Sequence, residues 1–455
     1  MEHPTLVMTE QSNNATENLD LMTAKEIVSV INQEDHKVAT SVEQVIPDLV
    51  QAPDVIANKL KKGGRVFIFG AGTSGRLGVM NSVGITEKYN LPAGTINGII
   101  AGGDKALRFS VENSEDNREQ AIKDLMAFKP TANDVVFGIS AGGGAPYILQ
   151  VLEEAQKLGI YTIGYSSNSN AKLKPFSNTF INPIVGPEVL TGSSRMKSGS
   201  AQEMTLLALL EASMAKIGKV KTREKETSKI LKNIVDSFKK AAPAVKSCET
   251  QITKAVEMIA DNLNNGGRLF YFGQGTAGRE GILDASECWP TFGVDHGIVN
   301  GYAAGGDAAL RQLFLYTPKQ AKIAAQNDFI SAKELPNGTV TVGTSKHDVI
   351  VALGDNPYAL TAIQEAKQRR LKTILFSTSK NDQLRTQADI YINPVVDDMA
   401  NPIATKFVLN TLTTASMSLM GKVIGNKMVD VAVMNSKLVD RAIRIIADFT
   451  GKSYN

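Results

Sequence analysis

The 455-residue chain repeats itself without gaps at an offset of 203 residues. Gly63-Gly64-Arg65-Val66-Phe67-Ile68-Phe69-Gly70-Ala71-Gly72-Thr73-Ser74-Gly75-Arg76 falls on Gly266-Gly267-Arg268-Leu269-Phe270-Tyr271-Phe272-Gly273-Gln274-Gly275-Thr276-Ala277-Gly278-Arg279, and Ala101-Gly102-Gly103-Asp104 falls on Ala304-Gly305-Gly306-Asp307. A period of about 200 residues is too long for a solenoid of small repeats and marks two copies of one domain, each able to bury its own core. The copies are not equivalent. Each has lost polar residues that the other keeps, and this reciprocity predicts one composite site.

Each copy alternates short apolar runs with stretches of helical length. In the first, strands are expected at Val66–Phe69, Thr95–Ile100, Asp134–Ser140, Tyr161–Tyr165 and Thr179–Ile184; in the second, at Leu269–Phe272, Gly297–Tyr302, Asp348–Leu353, Lys372–Phe376 and Ile390–Val396. Such alternation predicts an α/β fold in which each domain is a doubly wound parallel sheet flanked by helices, the two related by a pseudo-two-fold axis. Residues 1–20 read as a polar surface arm. Ala24 to Leu60 carries apolar residues at helical spacing and predicts two amphipathic helices, and the Lys-rich stretch 218–247 predicts a helical linker and the first helix of the second domain, with Lys219 to Lys225 as a solvated helix face. The division that follows is 1–235 for the N-terminal helices and first domain, and 236–455 for the second.

A net charge of +3 without a long basic run gives no reason to expect nucleic acid or an anionic membrane as partner. Two cysteines, Cys248 and Cys288, make neither a disulfide framework nor a metal site, so no metal or other cofactor is expected and a reduced, cytoplasmic setting is. No apolar run is long enough to span a bilayer, and the N-terminus has no signal-peptide pattern.

Three loops of the first copy carry chemistry. Gly72, Thr73, Ser74, Gly75 and Arg76 follow the first strand, Ser140 to Pro146 with Gly143 and Gly144 follow the third, and Ser193, Ser194, Arg195 and Lys197 follow the fifth. Open parallel sheets bind ligands at the carboxyl ends of their strands, and glycines bring backbone N–H groups to an anion while hydroxyls and cations orient the rest. The set suits a sugar phosphate. The glycine spacing loosely imitates a dinucleotide fingerprint, but no acidic residue follows about 20 residues on, which ranks a nicotinamide cofactor low. In the second copy Asp355 stands at the position of Gly144, and a carboxylate there repels phosphate, so that pocket is expected to be dead. The carboxylates show the opposite bias: Glu287 corresponds to Gly84, and Glu115 to Pro318. Acid–base work by a carboxylate pair therefore needs both copies.

At these residues the chain resembles the family of N-acetylmuramic acid 6-phosphate etherases and glucokinase regulatory protein, built on sugar-isomerase (SIS) domains. The resemblance rests on Gly70–Arg76, on Gly186-Pro187-Glu188-Val189-Leu190-Thr191-Gly192-Ser193-Ser194-Arg195-Met196-Lys197, on Asp284–Phe292, and on residues 421–431. It implies cleavage of the D-lactyl ether of N-acetylmuramic acid 6-phosphate, with Glu115 as the base at C2 and Glu287 as the acid that releases lactate and then activates water. Cys288, Trp289 and Phe292 beside Glu287 are expected to give that acid apolar surroundings. It further implies Glu188 as a substrate-site residue and Lys437 as a ligand contact from the second domain. The alternative under the same resemblance is a non-catalytic sugar-phosphate sensor that regulates a partner sugar kinase; an aldose–ketose phosphate isomerase is the third, since fold alone does not fix function. Etherases are single-domain chains that pair, whereas the tandem form is similar to the regulatory protein; whether the fused chain pairs further stays open. The sequence departs from the etherases at Gly142-Gly143-Gly144, where they carry Ser-Gly-Arg, and it ends 18 residues after Lys437, short of the regulatory protein's helical lid.

Overall fold

The computed structural model describes residues 7–312, 314 and 316–452. They form two compact units: His36–Lys239 with the described parts of Met1–Asn13 and Val433–Asn455, and Asn14–Asp35 with Lys240–Ala432. The change of unit at residue 239 lies close to the expected boundary at 235, but both chain ends depart from it. Residues 14–35 join the second unit and the last segment, with Lys437, joins the first. The contacts behind this are long-range, Asn32 Nδ2 donating to the Ala242 carbonyl at 3.0 Å and Arg441 holding Glu10, so no local pattern announces them.

The first unit is a five-stranded parallel sheet of β1 (Val66–Gly70), β2 (Ile96–Ile100), β3 (Val135–Ile139), β4 (Tyr161–Tyr165) and β5 (Thr179–Ile181), ordered β2-β1-β3-β4-β5. Every residue of β1 and β3 is buried, as in a sheet covered on both faces. One face packs Phe67, Phe69 and Val136 against Tyr147, Ile148, Val151 and Leu152 of the helix Pro146–Lys157. The expected strands are present, the fifth ending three residues early.

The second unit repeats the plan with β6 (Leu269–Gly273), β7 (Val299–Ala303), a hairpin of β8 (Lys333–Leu335) and β9 (Gly338–Val340), then β10 (Val349–Leu353), β11 (Lys372–Phe376) and β12 (Ile390–Ile392). Its sheet order is β12-β11-β10-β6-β7. Phe272 stacks on Tyr302 at 4.9 Å and on Phe329 at 5.0 Å in its core. A buried tyrosine recurs in both units: Tyr147 donates to Asp124 at 2.6 Å and Tyr358 to Asp328 at 2.5 Å. None of the described helices is long and apolar enough to cross a membrane, and both cysteines are free and buried.

Two expectations at the ends and middle of the chain are corrected. Residues 7–21 are no loose arm: three 3₁₀ turns bury Thr9, Thr16 and Leu19. Lys219 to Lys225 is solvated but not helical, and helix begins only at Thr227–Phe238. Ala24 to Leu60 forms three helical pieces, Ala24–Gln44, Ile46–Leu49 and Gln51–Lys61, with Pro47 and Pro53 in the first turns of the second and third.

One ion pair staples each sheet. Arg65, just before β1, donates through its backbone N–H (2.8 Å), Nε (3.2 Å) and Nη2 (3.0 Å) to Asp134, just before β3. Arg268 makes the same three bonds to Asp348 at 3.0, 3.1 and 2.7 Å. The partners are 69 residues apart in the first unit and 80 in the second, the extra length being the region of the β8–β9 hairpin. Burial alone would raise the Asp134 carboxyl, but hydrogen bonds from Arg65 and Thr131 outweigh it and hold the group below its usual range. Asp134→Ala should cost about 3 kcal/mol in urea unfolding, the low end for breaking a buried pair because the Arg65 side chain is 33% exposed. A depressed carboxylate stabilises above its unfolded value and loses that stabilisation as pH falls through the folded one. The gap between parent and variant should therefore close below about pH 4, measured as ΔG against pH.

Candidate functional site

In the first unit the chain leaves β1 to one side for β2 and to the other for β3, so the loops after β1 and β3 flank the switch point where open α/β sheets bind ligands. The loop after β1 turns at Gly72 (φ +52°) straight into the helix Gly72–Lys88. Gly70 and Gly75 meet backbone to backbone: a β-carbon on Gly70 would lie 2.4 Å from the Gly75 nitrogen, and one on Gly75 would lie 2.5 Å from Ile100. Gly75 is thus required for packing. Ser74 is buried and Thr73 half-buried at the helix start. Arg76 is buried, and its Nε donates to the Leu107 carbonyl at 3.2 Å, fixing the segment that leads from β2 toward Glu115. Arg279 does likewise to Ala309 at 2.7 Å in the second unit, which marks both arginines as loop anchors.

The loop after β3 is tied from behind. Ser140 N–H donates to the Tyr165 carbonyl at 3.1 Å, Ser166 Oγ to the Ala141 carbonyl at 2.9 Å, Asn168 Nδ2 to the Gly142 carbonyl at 3.1 Å, and Leu173 N–H to the Gly143 carbonyl at 3.1 Å. Gly143 has φ +72°, and a β-carbon there would strike Ala171 at 2.3 Å. Gly144 is exposed.

The third loop divides by burial. Ser194 is half-buried, whereas Ser193, Arg195 and Lys197 are buried. Glu188 is fully buried; its carboxylate accepts the N–H groups of Lys197 and Ser198, each at 2.9 Å, and so caps the helix Lys197–Lys216. Burial raises the carboxyl above its ordinary value, opposed by the charge of Lys197 and by those hydrogen bonds. Glu188 and Lys197, expected among the substrate contacts, are a buried cap and its counter-charge. The anion at this helix start is the chain's own.

Glu115 lies in the short 3₁₀ turn Ser114–Asp116, and the last segment of the chain docks onto it within the same unit. Asn435 Nδ2 donates to Glu115 at 2.9 Å, Lys437 Nζ to both its oxygens at 3.3 Å, and Ser436 to Asp116 through N–H and Oγ at 3.1 Å. Asn113 N–H donates to the Met434 carbonyl at 3.0 Å from a left-handed backbone, φ +55°. Asn435 also caps the helix Ser436–Thr450, accepting the Leu438 N–H. Beyond it, Arg441 pairs with Glu10 through Nε at 2.9 Å and Nη2 at 2.5 Å, its guanidinium lying where a side chain on Gly192 would stand. Lys437 therefore serves the unit that holds Glu115, not the other. Asn435 and Arg441 were missed in the sequence, although Asn before an amphipathic run is a helix-start signal.

Glu287 belongs to the second unit, buried on the helix Gly275–Phe292, one turn beyond Asp284. Asp284 is itself buried and accepts Tyr271 Oη at 2.9 Å and Thr413 Oγ1 at 3.1 Å. Cys288 donates to the Asp284 carbonyl at 3.4 Å, Phe292 is fully buried, and Trp289 stacks on His296 at 4.5 Å. Glu280, a further buried carboxylate on this helix, was also missed. Asp355 accepts Ser379 Oγ at 2.9 Å. No group of metal-binding side chains occurs among the described residues.

Residues 48–156 match the glucokinase regulatory protein N-terminal SIS domain, and residues 246–341 the second SIS domain of that protein. An N-acetylmuramic acid 6-phosphate etherase of Vibrio vulnificus (strain YJ016) is 40% identical over 271 residues, 57% of this chain and 90% of that protein. N-acetylmuramic acid 6-phosphate etherase 1 of Enterococcus faecalis (strain ATCC 700802 / V583) is 38% identical over 255 residues, 55% of this chain and 85% of that protein. The chain belongs to the N-acetylmuramic acid 6-phosphate etherase and glucokinase regulatory protein family. Among solved structures, tagatose-6-phosphate ketose/aldose isomerase from Escherichia coli superposes with a TM-score of 0.54 at 12% identity, covering 94% of this chain and 99% of that one. The C-terminal domain of glucosamine-fructose-6-phosphate aminotransferase from Francisella tularensis gives 0.57 at 17% identity, covering 87% and 97%. At such identities the likeness is one of fold, two SIS domains each on a parallel five-stranded sheet.

Within this family frame, Glu188 offers a clean test of cap against contact. Glu188→Ala removes the acceptor of two helix N–H groups and the counter-charge of buried Lys197, and should lower the unfolding free energy by about 3 kcal/mol. A residue that only touches ligand would change affinity and leave thermal stability where it was. An unchanged Tm would refute the cap.

Proposed function

We propose that the protein is a carbon–oxygen lyase that cleaves the D-lactyl ether of N-acetylmuramic acid 6-phosphate to N-acetylglucosamine 6-phosphate and D-lactate, working in the cytoplasm. The observation that carries this reading is the etherase relative at 40% identity, of which the chain covers 90%. The setting of Glu115 supports it. A base that takes a proton from carbon must be ionised and held still, and here an ammonium, an amide and a docked backbone hold one carboxylate.

In the proposed reaction Glu115 takes the proton at C2 of the opened sugar. The electron pair forms the C2–C3 double bond as the C3–O bond breaks, Glu287 protonates the departing lactate oxygen, and water then adds hydroxyl to C3 and hydrogen to C2. The loops 72–76, 140–146 and 192–194 would hold the phosphate and hydroxyls. Glu115 and Glu287 belong to different units, so the reading requires residues of both.

A second reading, a sugar-phosphate sensor for a sugar kinase, draws on the regulatory-protein domains matched in both halves. Incubation with N-acetylmuramic acid 6-phosphate separates the two: lactate release supports the lyase, binding without turnover the sensor. The roles of the carboxylates are separable as well. Glu115→Gln should stop both lactate release and exchange of the C2 proton in heavy water, whereas Glu287→Gln should stop lactate release and leave exchange running. General acid–base roles are each worth on the order of 10²–10⁴ in rate, enough to keep the outcomes apart. Lactate release at parental rate by either variant would sink the assignment.

A further inference from the structure

The third loop, which leads from β5 into the helix Lys197–Lys216, is tied down by both ends of the chain. It turns at two left-handed glycines, Gly186 (φ +73°) and Gly192 (φ +80°). Glycine leaves the backbone free at both turns, so the course of the loop depends on what touches it. Residues 7–13 and the helix Ser436–Thr450, which belong to the same unit as the loop, supply such contacts. Asn13 Nδ2 donates to the Pro187 carbonyl at 3.2 Å. At the other turn the Arg441 guanidinium lies so close to Gly192 that a β-carbon there would stand 2.4 Å from its Nε. Glu10 holds that guanidinium with both carboxylate oxygens, and Arg444 approaches the same carboxylate at 3.5 Å.

Only 11% of the Glu10 side chain and 8% of the Arg441 side chain are exposed. A buried ion pair is a weak source of stability, because desolvation offsets most of the attraction and apolar groups of similar size often serve as well. A forked, charge-assisted contact does fix geometry. Arg441 lies four residues beyond Lys437, one turn or about 6 Å further along the same helix. The helix therefore grips Glu115 through Lys437 and the loop at Gly192 through Arg441, and a single rigid turn separates the two grips.

We propose that Glu10 and Arg441 are positioning residues for the reaction: by seating the helix Ser436–Thr450 on Gly192, they set the distance between the base Glu115 and the loop that orients the sugar. This rests on the lyase reading above, in which Glu115 has to meet C2 of a sugar held by the three loops. It gives the N-terminal segment a part in the site without contact to the ligand, and it explains why residue 192 is glycine, since any side chain there would displace the guanidinium.

The test is Arg441→Ala, Glu10→Ala and the double variant in the full chain, each assayed with N-acetylmuramic acid 6-phosphate at a temperature where it is folded. Lactate release and exchange of the C2 proton should fall together, with kcat lower by about 10- to 100-fold, as when a reacting group is misplaced by an ångström. The inhibition constant of N-acetylglucosamine 6-phosphate should stay within about threefold, because the loops after β1 and β3 are untouched. The double variant should be no slower than the slower single one, since the two side chains form one contact. A kcat within about twofold of the parent in folded Arg441→Ala protein would assign the pair to stability alone and overturn the proposal. An equal loss in kcat and in product binding would overturn it too, as the mark of a binding group. Should Arg441→Ala not fold, Arg441→Lys decides: its ammonium keeps the charge opposite Glu10 but cannot make the fork, and the same fall in kcat is expected. A parent chain that releases no lactate overturns the lyase reading, and this assignment with it, before any variant is made.

Discussion

No β-carbon fits where the helix that follows the first strand of each unit crosses its sheet. Gly98 on β2 would press a side chain into the Val79 Cα at 2.3 Å, and Gly301 on β7 would do the same to Ile282 Cα at 2.6 Å. Gly70 against Gly75 and Gly273 against Gly278 close the same contact at the turn. Helix and strands meet at backbone distance, which sets the helix axis, and with it the direction in which the first turn presents Thr73 and Ser74. A larger residue at any of these positions would lift the helix by the thickness of a methyl group, a displacement that close-packed interiors resist. The repeat of this contact at an offset of 203 is the structural reason that the glycines, more than the apolar residues, preserve the duplication.

Charge then fixes what packing leaves loose. Arg65 and Asp134 align the entries to β1 and β3, Glu188 closes the start of the helix Lys197–Lys216, Arg76 holds the approach to Glu115, and Arg441 is seated on Gly192 by Glu10. These are buried or half-buried groups with several hydrogen bonds each, the condition under which ionic groups specify one arrangement instead of merely tolerating it. They are engaged within the fold, whereas Thr73, Ser194 and Gly144 at the strand ends are half-buried or exposed.

The sheet, its strands and the duplication were legible because they follow from local periodicity and from a gapless self-match. Which polar residues act and which support was less so. Glu188 and Lys197 look like ligand contacts in a Gly/Ser-rich loop, but the loop folds the carboxylate back onto a helix start nine residues on, a return that spacing alone does not reveal. The resemblance to the regulatory protein implies Lys437 as a contact from the second domain, and only the docking of residues 434–437 on the turn at Glu115 places it with the first unit. The β8–β9 hairpin carries Asn337-Gly338 at its turn, a pair that favours tight hairpins, but it lies in the stretch by which the second half is longer than the first, so the match between the halves does not announce it.

The reciprocal losses also gain a physical account. At the position of Glu115 the second half has Pro318, the first residue of a helix whose capping box pairs Thr317 with Gln320. Proline is favoured there because it has no N–H to leave unsatisfied. At the position of Glu287 the first half has Gly84, inside the helix Gly72–Lys88 and two turns past Leu77. The second half thus has a capped helix start where the first has Glu115, and the first half has a helix position without a side chain where the second has Glu287. A carboxylate restored at either place would meet different surroundings from its counterpart: no Asn435 or Lys437 for the one, no Cys288, Trp289 or Phe292 for the other.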